Sequence, residues 1–246
     1  MGIDMEKMHA RRQALDNKNG NNREVFWRPQ DGETTIRIVP TPDGDPFKDY
    51  WFHYNVGNNP GFLSPKKNFG EDDALDSFVR KLYKEGTEES IKMAKSLSAR
   101  QRFFAPVVVR GEEDKGVRIW GFGKMAYEKL LNLVLNPEYG DITDSDTGTD
   151  LVIRYGKPAG ASFPQTEITP RRRPSLLCED EAQCTEWLDT IPDLDKLFER
   201  KSPEEVESIL DEYLSGNTDD SSEGELEKYN TESPDSVDKA FSELLS

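Results

Sequence analysis

The sequence predicts an α+β fold, with a β-rich core, a helical insert and further helices toward the C-terminus, and three observations predict it. Short β-branched and aromatic runs recur at Thr34–Val39, Asp49–Tyr54, Phe103–Arg110, Val117–Phe122 and Leu151–Tyr155. Helical spacing interrupts them, because Leu75, Phe78, Val79, Leu82 and Tyr83 recur at i, i+3, i+4, i+7 and i+8. Charge is unevenly spread: residues 1–173 hold 27 Lys and Arg against 26 Asp and Glu, whereas residues 174–246 hold 5 against 22. The net charge of −16 therefore belongs to the C-terminal part. A near-neutral body can still gather its cations on one face, so the acidity does not exclude a polyanionic ligand.

In chain order, residues 1–22 read as a flexible polar arm whose Arg11–Arg12 doublet could dock on a neighbouring copy or on phosphate. In Thr34–Val39 alternation sets Ile36 and Ile38 on one face and Arg37 on the other. Asp49–Tyr54 is the next strand, with His53 inside it as a hydrogen-bonded structural residue. Asn55–Gly70 is a loop that offers Lys66 and Lys67. The insert, at about residues 71–98, holds two helices, the first closed by Gly86 as a left-handed cap and the second, Glu88–Leu97, opened by Thr87. A hairpin follows, with its turn at Gly111–Gly116, then a helix over Met125–Leu135 with Leu130, Leu131, Val134 and Leu135 as its apolar stripe.

After the polar loop Asn136–Thr149 come Leu151–Tyr155 and a sixth short strand, Gln165–Thr169, with Arg171, Arg172 and Arg173 just beyond it. Five or six short strands with interposed helices suit a partly open β-barrel of the OB type over residues 23–173. Residues 174–216 form an acidic helical segment, where Ser202-Pro203-Glu204-Glu205 signals a helix start and Gly216 its end. Residues 217–246 read as a disordered acidic tail whose last residues, with Phe241, Leu244 and Leu245, make a short amphipathic bait for a protein partner.

Chemistry-bearing motifs are few. The chain has no phosphate-cradling loop, no dinucleotide glycine fingerprint and no paired-histidine metal motif, and nothing points to catalysis. No apolar run is long enough to span a membrane. Cys178 and Cys184 read as free thiols. In the hairpin, Arg100, Arg102, Arg110, Arg118 and Lys124 frame Phe103, Phe104, Trp120 and Phe122. Cations beside flat rings suit single-stranded nucleic acid, whose bases stack and whose phosphates attract charge; the same pattern also describes a β-rich core with a solvated rim. Three consecutive arginines are likewise either a phosphate clamp or an exposed flank.

The order of these features, with TTIRIVP, the histidine-bearing aromatic strand, the helical insert, RFFAPVVVR, WGFGK leading into a helix, and the acidic tail, resembles the single-stranded DNA-binding (helix-destabilising) proteins of T-even-type phages over roughly residues 20–215. The resemblance implies an OB-fold core that coats single strands during replication, recombination and repair, in the cytoplasm of an infected bacterium. It further implies an arm that mediates self-association along DNA and a tail that recruits replication and recombination proteins. It puts Phe103 and Trp120 in the DNA cleft, Phe163 more loosely beside it, and Arg37 and Lys124 on the backbone; Lys66, Lys67 and Arg171–Arg173 are added from charge. Family members commonly hold zinc with one histidine and three cysteines. Here His53 stands near the histidine position, but no cysteine lies between it and Leu97, so no cofactor is expected. The arm also lacks the family's longer basic stretch, offering only Arg11–Arg12. The alternative is an acidic interaction adaptor or nucleic-acid mimic in which the helices are the working surface and the β-body is scaffold.

Overall fold

A computed structural model describes residues 25–216 except Glu199. Arg11, Arg12, Phe241, Leu244 and Leu245 lie outside the described residues. Within them the fold is α+β: strands β1 (Phe26–Trp27), β2 (Gly32–Ile38), β3 (Lys48–Val56), β4 (Asn59–Leu63), β5 (Arg100–Val109), β6 (Arg118–Phe122), β7 (Leu151–Gly156) and β8 (Gln165–Pro170) join one mixed sheet. The order is β1-β6-β5-β2-β7-β8, with β3 and β4 added on the β2 side of β5. The ten residues of β5 organise the sheet. Its first half pairs with β3, from Arg100↔Phe52 to Phe104↔Lys48, and its second half with β2, from Val107↔Ile38 to Val109↔Ile36. Its other edge takes β6, with Ala105 opposite Trp120.

The helices begin and end where local chemistry dictates. Helix α1 (Pro65–Phe69) and β4 occupy the stretch expected to be loop, because Ser64 caps α1 and proline opens it. Helices α2 (Ala74–Glu85) and α3 (Glu88–Leu97) are the two expected between residues 71 and 98, capped by Asp73 and Thr87; Gly86 ends α2 at φ 71°, a conformation that favours glycine. Helix α4 (Lys124–Val134) buries Ala126 and Leu130, and leaves Val134 and Leu135, assigned to its apolar stripe from sequence, exposed. The chain then forms α5 (Glu181–Asp189), α6 (Leu194–Leu197) and α7 (Pro203–Ser215), the last opened by a reciprocal Ser202–Glu205 capping box.

Both faces of β5 are covered. Phe103, Ala105, Val107 and Val109 join Ile36, Ile38, Trp120, Phe122, Leu151 and Ile153 in a core under α4. On the opposite face Phe104 and Ile119 meet Phe52, Leu194 and Phe198, while Val39, Val108 and Val117 meet Leu177 and Trp187. The acidic segment thus seals the second face with its apolar side chains. A further core joins α2, α3 and α7 to Val56 and Phe62.

Cys178 and Cys184 correct the expectation of free thiols: they form a disulfide, Cα to Cα 5.7 Å. The six-residue spacing closes because Asp180 caps α5 and the first turn brings Cys184 back over Cys178.

Candidate nucleic-acid interface

The hairpin of β5 and β6 folds as the sequence indicates, but its rings turn inward. Phe103 is 5% exposed and Trp120 1%, which overturns their placement in a cleft. Tyr127 of α4 stacks on Phe103 at 3.9 Å, and Trp27 of β1 meets Trp120 edge-on at 5.8 Å. Withdrawing such a side chain costs roughly 1.5–3 kcal/mol in transfer alone, about what a stacked base would return. Alternation along β5 separates two cores, because helices lie on both sides of the sheet.

The hairpin's cations are also engaged. Arg102 is buried and donates to the Gly121 carbonyl at 3.2 Å. Arg118 is buried and paired with Glu112 at 2.7 Å; Lys115 and Arg118 hold that carboxyl below its ordinary range. Half-buried Arg100 donates to the Lys95 carbonyl at 3.4 Å. Exposed Lys124 lies 3.7 Å from Glu128.

Arg37, assigned to the DNA backbone from sequence, is 0% exposed. It donates to Asp150 at 2.9 Å, to the Asp144 carbonyl at 3.2 Å, and to both the carbonyl and the hydroxyl oxygen of Ser175. Arg110 reaches the same carboxylate from the end of β5, at 2.9 and 3.1 Å, and donates to the carbonyls of Leu176 and Leu177 at 2.7 Å each. Burial pushes the Arg37 pKa down against the pull of Asp150. For Asp150 burial acts upward, but the hydrogen bonds and charges of Arg110 and Arg37 outweigh it and hold the carboxyl below its ordinary range. Gly148 completes the arrangement, since a Cβ there would strike Arg37 and the Asp144 and Ile142 carbonyls. These two arginines are structural ties between β2, β5 and the chain on either side of β7.

Arg171–Arg173 have a different fate. The Arg171 amide donates to the Asp150 carbonyl at 2.8 Å and its guanidinium to Thr35 at 3.1 Å, which fixes the start of the run against the sheet. Arg172 and Arg173 are exposed and form no ion pair with a described residue. With Asp150, Pro174 and Ser175 the run lines an open groove of about 440 Å³. Asp150, the one acid there, is already matched by Arg37 and Arg110, so the groove is cationic. Phe163 is exposed in the β7–β8 connection. It is separated from the arginines by the length of β8, whose Gln165 pairs with Gly156 and Pro170 with Leu151; six residues of strand span about 20 Å. Lys66 and Lys67 are exposed on α1, which hangs from β3 and β4, a branch of the sheet separate from β2, β7 and β8. The structure therefore does not gather the expected residues into one cleft.

The surroundings of His53 test whether zinc fits. Its Nδ1 lies 2.9 Å from the Leu97 carbonyl oxygen and its Nε2 3.2 Å from Asp73, which also accepts from Ser64 at 2.7 Å. Only His53 and Asp73 are ordinary ligands, short of the four a structural zinc takes. Among the described residues no group of three such side chains could hold a metal. The residues do not fit zinc. They form instead a buried polar knot where β3, the starts of α1 and α2 and the end of α3 meet. Burial acts to raise the Asp73 pKa, but His53, Ser64 and the Asp76 amide prevail and hold it well below the carboxylate range.

No protein-family model matches this chain, and no curated protein matches it either. No helix among the described residues is long and apolar enough to cross a membrane.

Proposed function

We propose that the protein binds single-stranded DNA without reading its sequence, and that the groove of Arg171–Arg173 takes the phosphate backbone. The observation that carries this reading is the pair Arg172 and Arg173, solvated and without a described ionic partner beside a carboxylate already neutralised from within. Each guanidinium placed on a phosphate releases condensed counterions, which supplies affinity without regard to base. The element order, resembling that of phage helix-destabilising proteins, supports the same class of ligand and a partly open barrel of the OB type. The bifurcated pairing of β5 with both β3 and β2 supports that barrel. In this reading the protein coats single strands in the cytoplasm of an infected bacterial cell, contacts further copies through residues 1–22, and meets replication and recombination proteins through residues 217–246.

The test is a titration with fluorescently labelled oligothymidylate across a salt series. The expected result is binding that weakens steeply with salt, and in the Arg172→Ala/Arg173→Ala variant a lower affinity with a log–log salt slope smaller by about 1 per arginine. Absence of binding by the parent at low salt refutes the reading and favours the acidic-adaptor alternative. An unchanged slope in the variant refutes the assignment of the groove.

A further inference from the structure

Four tryptophans divide unequally in this fold. Trp27, Trp120 and Trp187 are 6%, 1% and 4% exposed, whereas Trp51 on β3 is only half-buried and belongs to none of the apolar cores. Helix α1 is fastened beside it. The Asn68 side chain accepts from the Trp51 amide at 2.9 Å and donates to the Trp51 carbonyl at 2.7 Å and the Ser64 carbonyl at 2.9 Å. The Ser64 amide donates to the same Trp51 carbonyl at 2.8 Å. Lys67 Nζ stands 5.4 Å from the centre of the Trp51 ring. Two residues on, Phe69 is 40% exposed with the guanidinium of Arg200 4.2 Å from its ring centre, and Arg200 is held there by an ion pair with Glu71. Lys66 is exposed on the same helix.

Packing does not require these rings at the surface. Neither joins a core, yet each sits on a frame of backbone and amide hydrogen bonds that fixes its place before any ligand arrives. Each carries a cation, so β3 and α1, with Arg200 brought in from the C-terminal part, offer flat apolar area beside positive charge. That combination serves a chain of alternating flat rings and phosphates, since bases stack on aromatic side chains regardless of sequence.

We propose that Trp51 and Phe69, with Lys66, Lys67 and Arg200, form a base-stacking platform for single-stranded nucleic acid, separate from the arginine groove. The proposal rests on the single-strand reading above and adds to it the place where bases, rather than phosphates, are held. Platform and groove belong to different branches of the sheet beside β5, the platform to β3 and β4 and the groove to the ends of β7 and β8.

Intrinsic fluorescence of the full chain, titrated with oligothymidylate, tests it, because Trp51 is the one tryptophan of the four that is not buried. Quenching is expected in the parent and is lost in Trp51→Phe, while anisotropy of labelled oligothymidylate still reports binding by that variant. Phe69→Leu, a surface change that keeps apolar volume, weakens binding about tenfold without altering the salt slope, since it removes a stack and no phosphate contact. Quenching that persists in Trp51→Phe, or a Phe69→Leu variant that binds like the parent, overturns the platform. If the parent binds, Arg172→Ala/Arg173→Ala weakens it and Phe69→Leu does not, the platform alone falls. If the parent binds no oligothymidylate at all, platform and single-strand reading fall together.

Discussion

Two sets of arginines meet around Asp150 and behave as opposites. Arg37 and Arg110 spend their guanidinium groups on that carboxylate and on carbonyls of residues 144 and 175–177, while Arg172 and Arg173, exposed on the same groove, spend theirs on no described acid. The difference teaches that an arginine's role follows from what the fold brings against it. One acid can satisfy a buried and a half-buried cation, and the next two along the surface are then left available to a ligand. A neighbouring contrast repeats the lesson with carboxylates: Asp73 is buried in the His53 knot, whereas Glu71, two residues earlier, holds a surface arginine over a ring.

The comparison breaks most visibly at Asp150. Asp150→Ala leaves the guanidinium of Arg37 buried and that of Arg110 half-buried without their counterion, and a loss of about 3–5 kcal/mol is expected in urea unfolding. A loss below about 1 kcal/mol would mean that the carbonyls alone suffice and that the two sets of arginines differ less than argued.

Acid sharpens it next. Asp73 and Asp150 both have pKa values held below the ordinary carboxylate range. A depressed folded-state pKa contributes stability that is complete above the unfolded value, about 3.9, and is lost as pH falls through the folded value. The unfolding midpoint should therefore be flat above about pH 5 and fall below about pH 4. Asp73→Asn should lower the plateau and make the acid decline shallower, by about 1–3 kcal/mol across the window. An acid decline of unchanged steepness in Asp73→Asn would remove Asp73 as its source.

The smallest effect belongs to the exposed pair. Arg172→Ala/Arg173→Ala should change unfolding stability by less than about 0.5 kcal/mol, because nothing in the described fold leans on those side chains. A substantial loss in calorimetry would make them structural after all and weaken the case for a ligand groove.

Much of the fold was legible. The hairpin, the insert helices with Thr87 and Gly86 at their ends, and the Ser202 capping box all follow from periodicity and from residues within a few positions of each other. Strand β4 and helix α1 were missed because Asn59–Leu63 carries glycine and proline and Pro65–Phe69 is only five residues long, too short for a period to show. The candidate site was less legible. Phe103 and Trp120 have the composition of a stacking surface, but α4 and β1 close over them, and that closure is a long-range event. Trp51 and Phe69 left a faint trace in the adjacency of PKKNFG to an aromatic strand, while Arg200, more than a hundred residues away, left none.

By itself the sequence determined most of the strands and helices, where most of them stop, and that the acid is gathered toward the C-terminus, since each depends on neighbours along the chain. The tertiary structure decided which cations are spent and which remain. That choice rests on contacts such as Arg37 with Asp150, 113 residues apart. Pairing at that separation depends on strand order and on the helices that close the second face of β5. No local pattern encodes either.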